Sequence, residues 1–254
     1  MIKVLFMGRK PVAKKCLEWL LSKPNVIVVG VLTDSQFEDS PCAKLATCHS
    51  LPLFSFEEAL ELVNSRKLEF DLGISMLFWR KLKGGFVDLP KLKTINFHPA
   101  PLPEYKGTAG YNLAILEGLN EWSMTAHYVD EEIDTGNIIQ LETFPICEKT
   151  ETALSLEKKS QVKLFSLFVD VITDVLKRKA ILNSTPNSGG RYVSRCEMEA
   201  MKEVKEGDDI ARKIRAFWFP PYDGAYIKIN DVKYTLVDHS ILTQLADSSV
   251  SKVS

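Results

Sequence analysis

Leu92-Lys93-Thr94-Ile95-Asn96-Phe97-His98-Pro99-Ala100-Pro101-Leu102-Pro103-Glu104-Tyr105-Lys106-Gly107 runs from a short apolar segment into a proline-rich exit. Side chains two apart on an extended segment point to the same side, so Asn96 and His98 look into one space. Pro99, Pro101 and Pro103 then stiffen the exit and remove backbone donors, and the strand cannot continue. An amide that can donate to an oxyanion, beside a group that moves protons, suits acyl-transfer chemistry. An isolated Asn-x-His pair is also found as a strand-end cap beside a satisfied core histidine. The rest of the chain decides between the two.

Upstream, Ile2 to Met7 is apolar and β-prone, and Gly8 ends it. Pro11 suits the first turn of a helix carrying Val12, Cys16, Trp19 and Leu20 at helical spacing. Val26 to Leu32 is a second strand, closed by Thr33-Asp34-Ser35. Pro41 to Ser50 is a short helix, Leu51 to Phe54 a brief strand and Glu57 to Arg66 a helix. Phe70 to Leu77 is the fourth strand, and Leu92 to Phe97 the fifth. Alternating strands and helices predict an α/β fold with a largely parallel sheet flanked by helices. Active sites of such sheets gather at the carboxyl ends of strands. Gly8, Ser75 to Phe78, and Asn96 to His98 all fall at such ends.

Downstream, Gly110 to Leu119 is a helix, and Ser123 to Val129 and Asn137 to Leu141 are strands. The acidic loop Asp130-Glu131-Glu132-Ile133-Asp134-Thr135-Gly136 between them lacks the D-x-[DN]-x-[DN]-G spacing of a calcium loop. No His/Cys cluster has zinc spacing, so no metal is expected. Thr152 to Lys179 is a long helix whose apolar face is expected at Val162, Phe165, Phe168, Val169, Ile172, Val175 and Leu176. Asn183 to Gly190 is polar, contains Pro186, Gly189 and Gly190, and is the best linker in the chain. It divides a catalytic domain, 1–182, from a small helix-plus-hairpin unit, 191–242. Asp208 to Phe217 is the helix of that unit. Tyr226 to Ile229 and Val232 to Val237 are its hairpin strands, turning at Asn230-Asp231. The last dozen residues are polar and expected to fray.

The chain has 254 residues, 45% hydrophobic and 26% charged, an ordinary globular composition with length for a sizeable core. A net charge of -1 gives no global positive field to attract nucleic acid. Five scattered cysteines without a C-x-x-C pair or a secretory signal fit a cytoplasmic protein. No apolar run approaches the ~20 residues that span a bilayer. The turn Met7-Gly8-Arg9-Lys10-Pro11 lacks G-x-G-x-x-G, and no P-loop occurs. Arg9 and Lys10 at that turn either meet a phosphate or form a solvated turn.

Asn96-x-His98-Pro99, Leu102-Pro103-x-Tyr105-Lys106-Gly107 and Asp134-x-Gly136 together resemble the folate-dependent formyltransferases over roughly residues 1–180. The resemblance implies a Rossmann-like formyltransferase fold and a catalytic set of Asn96, His98 and Asp134. Within the family, three features look most like the nucleotide-sugar N-formyltransferases. They are Asn96 to Pro103, Thr125-Ala126-His127, and Phe219-Pro220-Pro221-Tyr222-x-Gly224-Ala225. The donor implied is N10-formyltetrahydrofolate, and the acceptor the amine of a dTDP-linked amino-dideoxy sugar used in surface polysaccharides such as the O-antigen of lipopolysaccharide. The same resemblance sets the folate beside Ser75, Met76, Leu77, Phe78 and Asp130, largely on backbone groups. It turns Arg9, Lys10 and Lys106 toward the nucleotide-sugar.

Tyr222 or Trp218 either stacks on the base or packs the small C-terminal unit. His127, on an alternating strand, is expected in core packing or a hydrogen bond rather than in catalysis. The resemblance and the hairpin also suggest a homodimer. Three competitors remain. A methionyl-tRNA formyltransferase shares the catalytic set but usually carries a larger C-terminal barrel, where about 65 residues that are not strongly basic follow the linker here. A formyltetrahydrofolate hydrolase would use water in place of the amine. A non-catalytic nucleotide-sugar binder would have no chemical need for all of Asn96, His98 and Asp134.

Overall fold

The computed structural model describes residues 1–33 and 40–243. The expected turn residues Asp34 and Ser35, and residues 244–254 of the expected frayed end, lie outside them. In chain order the elements are β1 (Ile2–Gly8), α1 (Pro11–Leu21), β2 (Val26–Leu32), α2 (Pro41–Cys48), β3 (Leu53–Phe54), α3 (Phe56–Asn64), β4 (Leu72–Met76), α4 (Gly85–Asp88) and β5 (Thr94–His98). There follow β6 (Tyr105–Gly107), α5 (Gly110–Leu116), β7 (Glu121–Tyr128), β8 (Ile138–Pro145), α6 (Ala153–Arg178), β9 (Arg191–Val193), α7 (Arg195–Ala200), α8 (Ile210–Phe217), β10 (Tyr226–Ile229) and β11 (Val232–Thr235).

Seven strands form one sheet in the order β3-β2-β1-β4-β5-β7-β8. The pairs β1/β2, β2/β3, β1/β4 and β4/β5 are parallel, and β5/β7 is antiparallel. The chain winds outward from β1 to β3, then returns to the other side of β1 as β4. That reversal leaves a crevice at the carboxyl ends of β1 and β4, where ligands of open α/β sheets bind. The fold class is the one expected from the alternating pattern.

Two compact units interleave along the chain. The first comprises Met1–Lys106, Ser123–Thr143 and Ser160–Arg191; the second comprises Gly107–Trp122, Phe144–Lys159 and Tyr192–Ser254. In the first, Val4, Leu5, Phe6 and Met7 are all buried, as a sheet covered on both faces requires. Leu5 and Met7 join Phe56, Ala59, Val63, Leu82 and Phe86 in one layer. On the other side the Phe168 ring meets Trp19 edge-on at 5.5 Å and Phe97 at 5.3 Å. Phe97 is fully buried, so α6 pins β5 from behind, and its neighbours Asn96 and His98 are left to face forward.

The apolar face of α6 differs from expectation. Leu164, Leu167, Phe168, Val171, Ile172, Val175 and Leu176 are buried, whereas Val162 is 70% exposed and Phe165 and Val169 are half-buried. The stripe is centred about a fifth of a turn away from the expected one. At 100° per residue Val162 falls off its edge. Strand β4 is shorter than expected, because Leu77 takes φ 52° and leaves extended backbone. Strand β8 runs four residues further than expected, to Pro145.

The second unit has its own small core of Ile115, Ala153, Ile214, Phe217, Ala225 and Ile241. Helix α8 is capped by the Asp209 side chain, which accepts from the Arg212 N–H. Strands β10 and β11 form the antiparallel hairpin, with Asn230 and Asp231 both at positive φ as a two-residue turn of this hand requires.

Candidate active site

Register brings the site together. Ser75 of β4 pairs with Asn96 of β5, and Asn96 pairs with His127 of β7. The Ser75 hydroxyl donates to Asn96 Oδ1 at 2.8 Å, and Asn96 Nδ2 lies 2.9 Å from His127 Nε2. Two residues on, His98 is 5% exposed and its Nε2 lies 2.8 Å from the Tyr105 carbonyl oxygen. A carbonyl only accepts, so His98 Nε2 carries a hydrogen and the neutral ring is bare at Nδ1. That Nδ1 faces Asp134, with Oδ2 at 3.5 Å, while Asp134 Oδ1 lies 3.6 Å from His127 Nε2. Asn96, His98, His127 and Asp134 therefore lie together.

Burial pushes the His98 pKa below its ordinary 6.5. The Asp134 carboxylate opposes that push, and His127 adds to it. The ring is thus neutral near pH 7 and open to a proton at Nδ1.

Asp134 is delivered by a loop, in a left-handed conformation with φ 57°. Side chains fix that loop through its backbone. Asp130 Oδ1 accepts from the Glu132 N–H at 3.1 Å and from the Thr135 hydroxyl at 2.6 Å. Buried Asn187 donates from Nδ2 to the carbonyls of Asp134 and Gly136 at 3.0 and 2.9 Å. Gly136 has no room for a side chain, since a Cβ there would lie 1.9 Å from the Tyr128 carbonyl oxygen.

Residues 49–172 match the formyl transferase family model. Over that stretch, just under half of its length, the chain is similar to the folate-dependent formyltransferases. It is 31% identical over 169 residues to a methionyl-tRNA formyltransferase of Staphylococcus epidermidis, an alignment spanning 63% of this chain and 54% of the relative. A methionyl-tRNA formyltransferase of Staphylococcus aureus is 26% identical over 253 residues, 95% of this chain and 80% of that one. Among solved structures, an N-formyltransferase of Helicobacter canadensis, in complex with folinic acid and dTDP-3-aminofucose, superposes with a TM-score of 0.74 at 27% identity. That match covers 92% of this chain and 86% of the other.

The other expected site residues are placed as follows. Ser75 and Met76 lie inside β4, paired with β1 and β5 on both sides, and the Ser75 hydroxyl is directed at Asn96. Leu77 and Phe78 form the exit from β4, with the Phe78 ring against the core near Phe56 at 6.3 Å. The Asp130 carboxylate is engaged within its own loop. Arg9 and Lys10 are half-buried at the β1–α1 turn. Lys106 Nζ donates to the Gly189 carbonyl at 2.7 Å. Trp218 packs half-buried against the core of the second unit, whereas Tyr222 is 59% exposed with the Arg195 guanidinium 5.9 Å over its ring.

Two residues of this cluster lie outside the expected site. His127 was read as a packing or hydrogen-bonding residue, and the β5/β7 register that sets it beside Asn96 has no signature in its own strand. Asn187 lies in the segment expected to be a linker. There Thr185 pairs with Ile138, and Gly190, at φ 70°, sits so close to the Pro103 carbonyl that any Cβ would clash. The signal available was the pair Gly189-Gly190, which marks special backbone as readily as a free hinge. Among the described residues no His/Cys/Asp/Glu group is arranged to hold a metal, and no helix is long and apolar enough to cross a membrane.

Proposed function

We propose that this chain moves the formyl group of N10-formyltetrahydrofolate to the amine of a dTDP-linked amino-dideoxy sugar. The observation that carries the reading is the Asp134 carboxylate set against the bare Nδ1 of His98, on the face that Asn96 shares. With the His98 ring neutral and Asp134 a carboxylate, both present acceptors. The space they border is suited to the N–H groups of an unprotonated amine.

The donor supplies an activated formyl carbon, and the residues present fit its chemistry. Asn96 donates to the formyl oxygen as negative charge develops there. His98 takes the proton of the attacking amine at Nδ1 and returns it to the nitrogen that leaves. Asp134 balances the imidazolium between those two events.

The sugar acceptor is supported by the dTDP-3-aminofucose complex of the Helicobacter canadensis relative and by the exposed ring of Tyr222, free to stack on a base. In this reading residues 1–182 carry the transfer and residues 191–242 recognise the acceptor, with Arg9, Lys10 and Lys106 toward the diphosphate. Leu77, Phe78 and Asp130 border the folate. Exposed Ile229, Val232 and Tyr234 on the hairpin favour a homodimer. A second reading, formylation of methionyl-tRNA, is favoured by the curated relatives at 26–31% identity. The net charge of -1 weighs against it, since tRNA phosphates reward basic surfaces.

One experiment separates them. The chain is incubated with N10-formyltetrahydrofolate and, in turn, a panel of dTDP-3- and dTDP-4-amino sugars, methionyl-tRNA, or no acceptor. Mass spectrometry then identifies the formylated product. A formyl-amide on a dTDP-sugar is the expected result. Formyl-methionyl-tRNA alone, or formate without acceptor, replaces the reading with the tRNA enzyme or the hydrolase.

A further inference from the structure

Ser75, Asn96 and His127 stand side by side on three neighbouring strands, and their hydrogen bonds run in one direction only. The Tyr128 carbonyl can only accept, so His127 Nδ1, at 2.7 Å from it, carries a hydrogen. The neutral ring is then bare at Nε2 and accepts from Asn96 Nδ2 at 2.9 Å. Asn96 must therefore turn Oδ1 the other way, where the Ser75 hydroxyl donates at 2.8 Å. Ser75 is 3% exposed, so bulk water does not substitute for its hydroxyl. Asn96 is the one residue of β5 that is not buried, which gives the second hydrogen of Nδ2 an open side.

A carboxamide fits a site almost equally well with its oxygen and nitrogen exchanged. The two orientations are opposite in function. Nitrogen toward a developing oxyanion stabilises it, and oxygen toward it repels. We propose that Ser75 is a positioning residue that, with His127, fixes which end of the Asn96 amide meets the reacting carbonyl. The inference rests on the reading of Asn96 as the oxyanion donor. In the exchanged orientation Asn96 Oδ1 would face the bare Nε2 of His127, acceptor against acceptor. His127 selects the orientation, since a hydroxyl can bond either end of an amide; Ser75 braces it from the other side, and its donation to Oδ1 polarises the amide and strengthens its N–H groups as donors. Ser75 is thereby assigned, through its side chain, to the formyl oxygen that Asn96 meets rather than to binding the folate ring.

Two measurements test this. In Ser75→Ala, kcat falls about five- to tenfold, the scale of one orienting hydrogen bond, while both KM values change by less than about twofold. Ser75→Thr, which keeps the hydroxyl, restores most of kcat. An unchanged kcat in folded Ser75→Ala overturns the proposal. So does a loss that Thr does not restore while Ser75→Thr melts like the wild type. Independently of turnover, ¹⁵N spectra of the wild-type histidines show His127 as the Nδ1–H tautomer, and Ser75→Ala moves its Nε2 resonance. An Nε2–H tautomer in the wild type refutes the clamp, even if formyl transfer is established and even if Ser75→Ala does not fold. If no acceptor is formylated, the functional reading fails, and the tautomer still decides the clamp.

Discussion

Asn96 and His98 ride on a strand, whereas Asp134 rides on a loop. Strand β5 is paired on both sides and pinned from behind by Phe97 against Phe168, so two side chains inherit the rigidity of the whole sheet. The loop 130–136 has no ladder of its own. It is shaped by Asp130, Thr135 and Asn187 bonding to backbone, and by a glycine where no Cβ fits. A site assembled this way has one half that tolerates almost no displacement and one half whose position depends on a few replaceable hydrogen bonds.

The largest expected effects lie on the strand. Asn96→Ala lowers kcat about 10²–10³-fold, the loss typical of one oxyanion donor. His98→Gln lowers it roughly 10²–10⁴-fold, as loss of a general base does. Both variants should keep wild-type melting curves within a few degrees. Stable variants with wild-type single-turnover rates would remove the strand half from the chemistry.

Gly136→Ala attacks the loop by force. Its Cβ would stand 1.9 Å from the Tyr128 oxygen, so the loop or the end of β7 must move. We expect a stability loss of about 2 kcal/mol or more, together with a collapse of kcat, because Asp134 moves with it. Urea titration gives the first and steady-state rates the second. A fully active, equally stable variant would show that the loop is softer than its geometry implies.

Asn187→Ala attacks the same loop by removing its tether. Two carbonyls lose their donor, at about 1–3 kcal/mol for buried groups left unsatisfied. Activity should fall by more than Asn187→Gln costs, while formyl-donor affinity changes less. Equal effects of the two variants on rate would mean that the segment, rather than this amide, holds Asp134.

The smallest effect is on pH. Burial depresses the folded-state pKa of His98 below 6.5, so the unfolded chain takes up the proton first as pH falls. The stability linked to this group is complete above about pH 6.5. It declines below that and levels off once the folded ring is also protonated. The melting temperature of the wild type should therefore drop on acidification relative to His98→Gln, with no divergence above neutral pH. Catalysis should keep its acid limb below pH 6.5 for the same reason. A divergence that grows upward from pH 7 would reverse the sign and indicate an imidazolium held by Asp134.

The strand half was legible because its information is local. Spacing by two fixes the common face of Asn96 and His98, and the prolines fix where the strand must stop. The loop half was only partly legible. Asp134-x-Gly136 stood out, but its tether, Asn187, lies 53 residues from Asp134, in a stretch whose glycines resembled a hinge. The role of His127 depended on an antiparallel register between β5 and β7, which neither strand encodes alone. The buried stripe of α6 was offset because its sequence offers apolar residues on more than half its circumference, and the sheet selects among them. The small hairpin was legible to the residue at its turn, since Asn230-Asp231 is a local conformational demand.

The segment 183–190 has a consequence for anyone cutting this chain. A fragment ending at residue 182 would contain Asn96, His98, Asp134 and all of α6, and would look complete. It would lack the Thr185 bridge to Ile138, the two bonds from Asn187, and the carbonyl that anchors Lys106. Such a fragment should be inert, because the loop that carries Asp134 would have lost its tether and the second core most of its residues.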